Sequence, residues 1–123
     1  MHRFKLLIID DDLQDQFLIQ KAIARAGFEV VIDTAQNGDE GLKRASAFKP
    51  DLVVLDSAMT GRDGFDVCAQ IKSITSRSKV VICTGVIDAW ISGKAESAGA
   101  DECCLKTMDL EDLMIIIRCL IEG

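Results

Sequence analysis

The chain has 123 residues, of which 49% are hydrophobic and 28% charged, a size and composition that predict one folded domain over residues 1–123 and exclude a disordered chain. Its formal net charge of −6 repels the phosphates of nucleic acids and anionic lipids, so we expect no direct nucleic-acid binding and no membrane binding. Because no apolar run is long enough to span a bilayer and the N-terminal residues lack the features of a signal peptide, we expect a cytoplasmic protein.

Short apolar runs alternate along the chain with longer segments of helical periodicity, as is typical of a parallel sheet with crossover helices. In chain order, a strand precedes a helix five times: 4–9 and 13–26, 28–34 and 37–48, 52–55 and 64–75, 79–83 and 88–98, 101–105 and 109–122. Gly27 and Gly99 stand where a left-handed residue ends a helix, and Asp109 can cap the last helix. We therefore predict an α/β fold, a flavodoxin-like doubly wound sheet of five parallel strands in the order 2-1-3-4-5, with helices on both faces.

Polar residues stand directly after four of the predicted strands: Asp10, Asp11 and Asp12, then Asp56, Thr84 and Lys106. Because the carboxyl ends of parallel strands meet at one edge, we expect these side chains to surround one pocket. Carboxylates this close repel one another unless a cation is present, so the cluster predicts a divalent ion, and Mg²⁺ fits best. Taken singly, each residue has an ordinary explanation as a turn, a cap or a solvated side chain. Their occurrence together at one sheet edge favours a functional site.

Four segments, LLIIDDD, PDLVVLDSAMTGRDGFDVC, VVICTG and GADECCLK, resemble the signatures of the response-regulator receiver family over essentially the whole chain. The resemblance implies that Asp56 accepts a phosphoryl group. It also implies a Mg²⁺ site in which Asp11 binds directly, Asp10 acts largely through water, and Ala58 lends its backbone carbonyl. Asp12 is not a ligand position of the family, and we interpret it as a solvated residue at a helix start.

The same resemblance implies that Thr84 and Lys106 bind the phosphoryl oxygens and that the donor is a histidine kinase or a histidine phosphotransfer protein. We therefore expect a signalling domain that catalyses only its own phosphorylation and dephosphorylation, and not an enzyme with an external substrate. The downstream effector or fused output domain stays open.

Three positions depart from the family. Thr60 stands where proline is common, and Cys103 replaces an aromatic residue that often moves inward together with the threonine. Thr107 replaces the proline that often follows the lysine through a cis bond. Because a cis bond before a residue other than proline costs about 2.5–4 kcal/mol, we expect this loop to be rearranged to trans or strained.

The first predicted helix has an apolar stripe of Leu18, Ala22, Ile23 and Ala26 that we expect to face the core. Phe17 then lies near the opposite side, where an exposed aromatic residue suits docking of the phosphoryl donor.

The last predicted helix, LEDLMIIIRCLIEG, is apolar nearly all round. The residues needed for the core are Leu113, Ile116, Ile117 and Leu120, which leaves Met114, Ile115 and Ile121 in surplus. With Trp90 and Ile91 of the fourth helix, these residues predict an apolar patch on helix 4, strand 5 and helix 5 through which a homodimer could form. The alternatives are deep packing of the helix or a covering C-terminal domain.

Other classes of protein fit less well. An aspartate-nucleophile phosphatase of the haloacid-dehalogenase type needs a second Asp two residues after the nucleophile, where Ala58 stands. A flavodoxin needs aromatic residues around its flavin, and the chain has no tyrosine and one tryptophan. A pseudo-receiver that binds partners without phosphorylation is the remaining alternative. The five cysteines lie mostly in apolar runs and predict buried, reduced thiols.

Overall fold

The computed structural model describes residues 3–59, 61–107 and 110–123. Strands and helices alternate in chain order: β1 (Phe4–Ile9), α1 (Leu13–Ala26), β2 (Val30–Ala35), α2 (Gly38–Phe48), β3 (Leu52–Asp56), α3 (Gly64–Ile74), β4 (Lys79–Thr84), α4 (Ala89–Ser97), β5 (Glu102–Leu105) and α5 (Glu111–Glu122). The predicted alternation is confirmed. Two of the sequence predictions, the departure at Thr60 and the cap at Asp109, lie outside the described residues.

All five strands are parallel, in the order β2-β1-β3-β4-β5, as predicted. Neighbouring strands of the sheet end at the same level. Ile9 in β1 pairs with Leu55 in β3, and Asp56 in β3 pairs with Cys83 in β4. The order therefore brings the ends of β1, β3 and β4 side by side. The topological switch point lies between β1 and β3, because the chain leaves β1 toward β2 on one side and reaches β3 on the other.

Each face of the sheet has its own hydrophobic core, because successive strand residues point to opposite faces. One core packs β1, β3 and β4 against α2, α3 and α4, with Val53, Leu55 and Ile82 fully buried. The other packs the alternate strand residues against α1 and α5, with Ile23 and Ile117 at its centre. Strands covered on both faces become almost continuously apolar, and all five residues of β3 are buried.

The helix ends are confirmed where glycine was predicted. Gly27 has φ +79 and its N–H donates to the last turn of α1, and Gly99 has φ +84 just after α4. Both conformations are costly for a residue with a Cβ atom. At the other end of the chain, α5 begins at Glu111, later than predicted, and follows Leu110, whose φ is +55 and which makes no side-chain cap.

The predicted core stripe of α1 was wrong at one position. Leu18 is 41% exposed, and Gln16 is buried together with Ile19 and Ile23. The 3.6-residue period through Ile19 and Ile23 places residue 16, and not residue 18, on the inner face. Phe17 is exposed, as predicted.

The predicted surplus on α4 and α5 was wrong in part. Ile115 and Trp90 are exposed as predicted, whereas Met114 and Ile121 are partly buried against the core beneath α1 and α5. Ile91 likewise packs against the core of the other face. The helices lie close enough to the sheet for these flanking residues to bury part of their side chains.

Candidate functional site

Three carboxylates of the predicted site meet at the carboxyl ends of β1 and β3. Asp10 and Asp11 follow β1 directly, and Asp56 is the last residue of β3. One carboxylate oxygen of each residue lies within 4.8 Å of those of the other two. Because β1 and β3 are hydrogen-bonded neighbours, this arrangement follows from the strand order. Three oxygen donors this close together fit a hard divalent cation such as Mg²⁺.

Lys106 closes the cluster from the β5 side. Its backbone N–H donates to the carbonyl oxygen of Thr84 at 2.7 Å, which fixes the residue at the end of the sheet. Its Nζ lies 2.8 Å from a carboxylate oxygen of Asp10, 2.8 Å from one of Asp15 and 3.7 Å from one of Asp56. One ammonium group therefore faces three carboxylates, two of them at hydrogen-bond distance.

Burial and charge act on this group in opposite directions. Burial raises the pKa of Asp10 above its ordinary value, and the hydrogen bonds from Lys106 and the Asp12 backbone offset that effect only in part. Burial alone would lower the pKa of Lys106, but its hydrogen bonds to Asp10 and Asp15 outweigh burial and raise it. Lys106 therefore stays protonated throughout the physiological pH range.

Hydrogen bonds from the start of α1 hold Asp10 in place. The Asp12 N–H donates to one carboxylate oxygen of Asp10 at 2.9 Å, while Lys106 binds the other at 2.8 Å. Gln16 Nε2 donates to the carbonyl oxygens of Asp10 and Ala35 at 2.8 and 3.0 Å and so ties β1, β2 and α1 together. Asp12 is the N-cap of α1, in agreement with its interpretation as a helix-start residue.

Thr84 lies at the end of β4, and Ala58 lies two residues beyond the end of β3. Thr84 is the last residue of β4, and its hydroxyl donates to the carbonyl oxygen of Val86 at 3.1 Å. Ala58 lies two residues after Asp56, and its N–H donates to a carboxylate oxygen of Asp56 at 3.3 Å. The predicted contacts of the Thr84 hydroxyl with phosphoryl oxygens and of the Ala58 carbonyl with a metal stay predictions.

Two residues of this region, Asp15 and Gln16, are missing from the sequence prediction. Both lie in the first turn of α1, where polar residues are common for helix capping alone. The only sequence signal for Gln16 was that a polar residue interrupts the apolar stripe of α1. The apolar residues nearby made this signal difficult to recognise.

The structure describes two of the positions that depart from the family pattern, Thr107 and Cys103. Among the described residues no peptide bond is cis, so the Lys106–Thr107 bond is trans, the first of the two alternatives left open by the sequence. Cys103 is half-buried and packs against the core shared by α2, α3 and α4.

Two groups of exposed apolar residues flank the site. The first, here the α1 patch, consists of Leu13, Phe17 and Leu18. The second, here the α4–β5–α5 patch, consists of Val86, Ile87, Trp90, Leu105 and Ile115. A groove lined by Ile87, Leu105 and Ile115 joins part of the second patch across β5. In the described ranges, no helix is both long enough and apolar enough to cross a membrane.

Comparison with known proteins extends these observations. The family model for the response regulator receiver domain matches residues 6–118. The chain is 32% identical over 110 residues to chemotaxis protein CheY of Listeria monocytogenes, covering 89% of this chain and 92% of that protein. It is 33% identical over 98 residues to the alkaline phosphatase synthesis transcriptional regulatory protein PhoP of Bacillus subtilis, covering 80% of this chain and 40% of that longer protein.

A solved structure of a receiver domain is also similar to the chain over nearly its full length. The signal receiver domain of the DNA binding response regulator protein merR from Colwellia psychrerythraea is 31% identical to the chain, with a TM-score of 0.85. The match covers 98% of this chain and 99% of that domain. The similarity therefore extends over the whole sheet and all of its strand ends.

Proposed function

Because the chain belongs to the response regulator receiver family, we propose that it accepts a phosphoryl group from a phosphohistidine donor on Asp56 and signals through its surface. Receiver domains are signalling domains of two-component systems, and they interact with histidine kinases and effectors. The observation that supports Asp56 most directly is its position at the end of β3, beside two further carboxylates and 3.7 Å from the Lys106 ammonium. Asp10 has the same neighbours, but its two carboxylate oxygens already accept hydrogen bonds from the Asp12 N–H and from Lys106.

In this proposal Asp10, Asp11 and Asp56 hold Mg²⁺, together with the backbone carbonyl of Ala58. The family typically binds Mg²⁺, and the donor set here consists of the oxygen ligands that this ion prefers. When bound, the ion neutralises negative charge on the carboxylates and on the phosphoryl oxygens.

The residues of the chain then perform the transfer as follows. A carboxylate oxygen of Asp56 attacks the phosphorus while the bond from phosphorus to the imidazole nitrogen of the donor breaks. The imidazole leaves with the bonding electron pair. Lys106 donates a hydrogen bond to a phosphoryl oxygen and balances its charge, and the Thr84 hydroxyl leaves the Val86 carbonyl to donate to another.

The proposal also covers the location of the domain, the limits of its reactions and the surfaces that bind its partners. Residues 1–123 act as one receiver domain in the cytoplasm, whose reactions are limited to its own phosphorylation and dephosphorylation. A histidine kinase or histidine phosphotransfer protein docks on the α1 patch, where Phe17 offers an aromatic anchor beside the pocket. The α4–β5–α5 patch is the surface for a homodimer or an effector.

The test is phosphorylation by acetyl phosphate with Mg²⁺, followed on a gel that retards phosphoproteins. We expect wild type to give one retarded band and Asp56→Asn to give none, because the amide cannot act as the carboxylate nucleophile. Asp66→Asn, on the exposed surface of α3, is the matched control and should behave as wild type. Absence of a band from wild type, or an equal band from Asp56→Asn, would contradict the proposal.

Metal binding is tested separately by calorimetric or NMR titration with Mg²⁺. We expect a dissociation constant in the millimolar to sub-millimolar range and at least severalfold weaker binding by Asp11→Ala, because the carboxylates are preformed at strand ends. Unchanged affinity in this variant would show that the ion binds elsewhere.

A further inference from the structure

Asp15 binds Lys106 at the site, and the proposed function gives this contact no role. Its carboxylate lies 2.8 Å from Lys106 Nζ, the same distance as Asp10, whereas Asp56 is 3.7 Å away. The side chain of Asp15 is about one-third exposed and that of Lys106 about one-fifth, so the pair is only partly screened by water. A pair of this kind contributes more than a fully exposed ion pair.

The start of α1 does not need the Asp15 carboxylate for capping. In a capping box the third residue after the cap accepts a hydrogen bond from the N–H of the cap residue. Here the cap is Asp12, and its N–H donates to Asp10 instead. The Asp12 side chain itself accepts from the N–H groups of Gln14 and Asp15. The Asp15 carboxylate is therefore directed at Lys106 while the cap is satisfied by other groups.

Lys106 has three N–H donors, and the two shortest contacts engage two of them. Asp10 is buried, and one of its carboxylate oxygens accepts from the Asp12 N–H while the other accepts from Lys106. Asp15 lies in the first turn of α1 and binds the same ammonium group at 2.8 Å. With Nζ held between Asp10 and Asp15, its distance to the Asp56 carboxylate is 3.7 Å, beyond hydrogen-bond distance.

We propose that Asp15 is a positioning residue that retains Lys106 in a resting place and thereby weakens the hold of the domain on a phosphoryl group at Asp56. This inference rests on the proposed function of Asp56. When the phosphoryl group arrives, Lys106 exchanges its hydrogen bond to Asp15 for one to a phosphoryl oxygen and keeps its bond to Asp10. Asp15 thus sets how readily the domain enters its phosphorylated state.

The direct test is the affinity for beryllofluoride, which occupies the phosphoryl position on an aspartate without covalent transfer. It is measured by NMR titration at saturating Mg²⁺. We expect Asp15→Asn to bind about three- to tenfold more tightly than wild type, because the competitor for Lys106 loses its charge. The initial rate of phosphorylation by acetyl phosphate should rise in the same variant.

Two variants separate this role from general effects of charge and folding. Asp12→Asn removes one negative charge from the same helix start but keeps a good N-cap residue, so it should bind beryllofluoride as wild type does. Asp15→Glu restores the carboxylate and should return the affinity toward wild type. If Asp15 only stabilised α1, Asp15→Asn would change the melting temperature, but Asp15→Asn and Asp12→Asn would bind beryllofluoride with the same affinity.

The possible outcomes are distinct. Equal affinities of Asp15→Asn and Asp12→Asn, or weaker binding by Asp15→Asn, would overturn the role proposed for Asp15 while the role of Asp56 stands. Failure of wild type both to bind beryllofluoride and to become phosphorylated would overturn the two proposals together. Tighter binding by Asp15→Asn alone, reversed in Asp15→Glu, supports the inference.

Discussion

The centre and the edge of the sheet are built in different ways. In β3 all five residues are buried, and helices cover both faces. In β5, four residues long, only Cys104 is buried, and α4 beside it buries only Ala95. Asp56 stands at the end of the buried strand, whereas Lys106 stands at the end of the exposed one. The same pocket therefore joins a rigid part of the molecule to a thinly packed one.

This difference has a consequence for signalling. A carboxylate that is to react must be held in one position, and full burial of the strand behind it provides this. A surface that is to respond must change at a small cost in free energy, and regions with few buried contacts do so most easily. The α4–β5–α5 patch lies on the thinly packed side, so a shift of Thr84 and Lys106 would reach it directly.

The comparison is tested most strongly by truncating one apolar residue in each region. Leu55 in β3 is fully buried and Ile115 in α5 is 54% exposed. We expect Leu55→Ala to lower the free energy of unfolding by about 3 kcal/mol and Ile115→Ala by less than about 0.5 kcal/mol. Chemical denaturation measures both values. Similar losses in the two variants would show that the edge is as well packed as the centre.

A second pair of variants tests the two regions with glycine. A Cβ atom at Gly64 would lie 2.4 Å from the backbone oxygen of Asp56, whereas one at Gly93 in α4 meets nothing within 4 Å. We expect Gly64→Ala to cost about 2 kcal/mol and to slow phosphorylation, since the start of α3 must move away from Asp56. Gly93→Ala should stabilise the fold by about 0.5–1 kcal/mol through helix propensity.

The lifetime of the phosphoryl group tests the rim of the pocket on both sides. The resemblance to the receiver family implies that the side chains best placed to orient the attacking water lie two residues after Asp56 and two residues after Thr84. Here they are Ala58 and the exposed Val86, and neither side chain forms hydrogen bonds. We expect slow hydrolysis, and Ala58→Asn and Val86→Glu should each accelerate it roughly five- to thirtyfold, or about 1–2 kcal/mol.

The purified phosphoprotein provides the measurement, by following loss of the retarded band after the donor is removed. Val86→Gln tests whether any polar group suffices or whether the charge of Glu is needed. If both Ala58→Asn and Val86→Glu hydrolyse no faster than wild type, the lifetime is not set by the placement of water.

The smallest effect is expected on the surface of α4. Lys94 Nζ lies 4.6 Å from the ring centre of Trp90 and 4.8 Å from that of Phe65. Because exposed cation–π contacts contribute about 0.5–1 kcal/mol, Trp90→Ala should lower the free energy of unfolding by no more than that amount. A loss near 3 kcal/mol would mean that Trp90 belongs to the core and that the patch is not a free surface.

The sequence by itself determined the alternation of strands and helices, the strand order and the residues at the strand ends. The alternation depends on local signals: continuous apolar runs mark strands covered on both faces, and Gly27 marks a left-handed helix end. The strand order was predicted from the doubly wound fold class that this alternation indicates. The parallel order then places the ends of β1, β3 and β4 together. For this reason the gathering of Asp10, Asp11 and Asp56 could be predicted without coordinates.

Only the tertiary structure decided which side chains of the helices face the sheet and which cross the pocket. The inward position of Gln16 and the outward position of Leu18 depend on the rotation of α1 about its axis, and local hydrophobicity misjudged it. The contact of Asp15 with Lys106 joins residues far apart in sequence, from the start of α1 and the end of β5. A helix-start acid looks the same in sequence whether it caps its own helix or binds a lysine across a cleft, because the packing angle between the elements makes the choice.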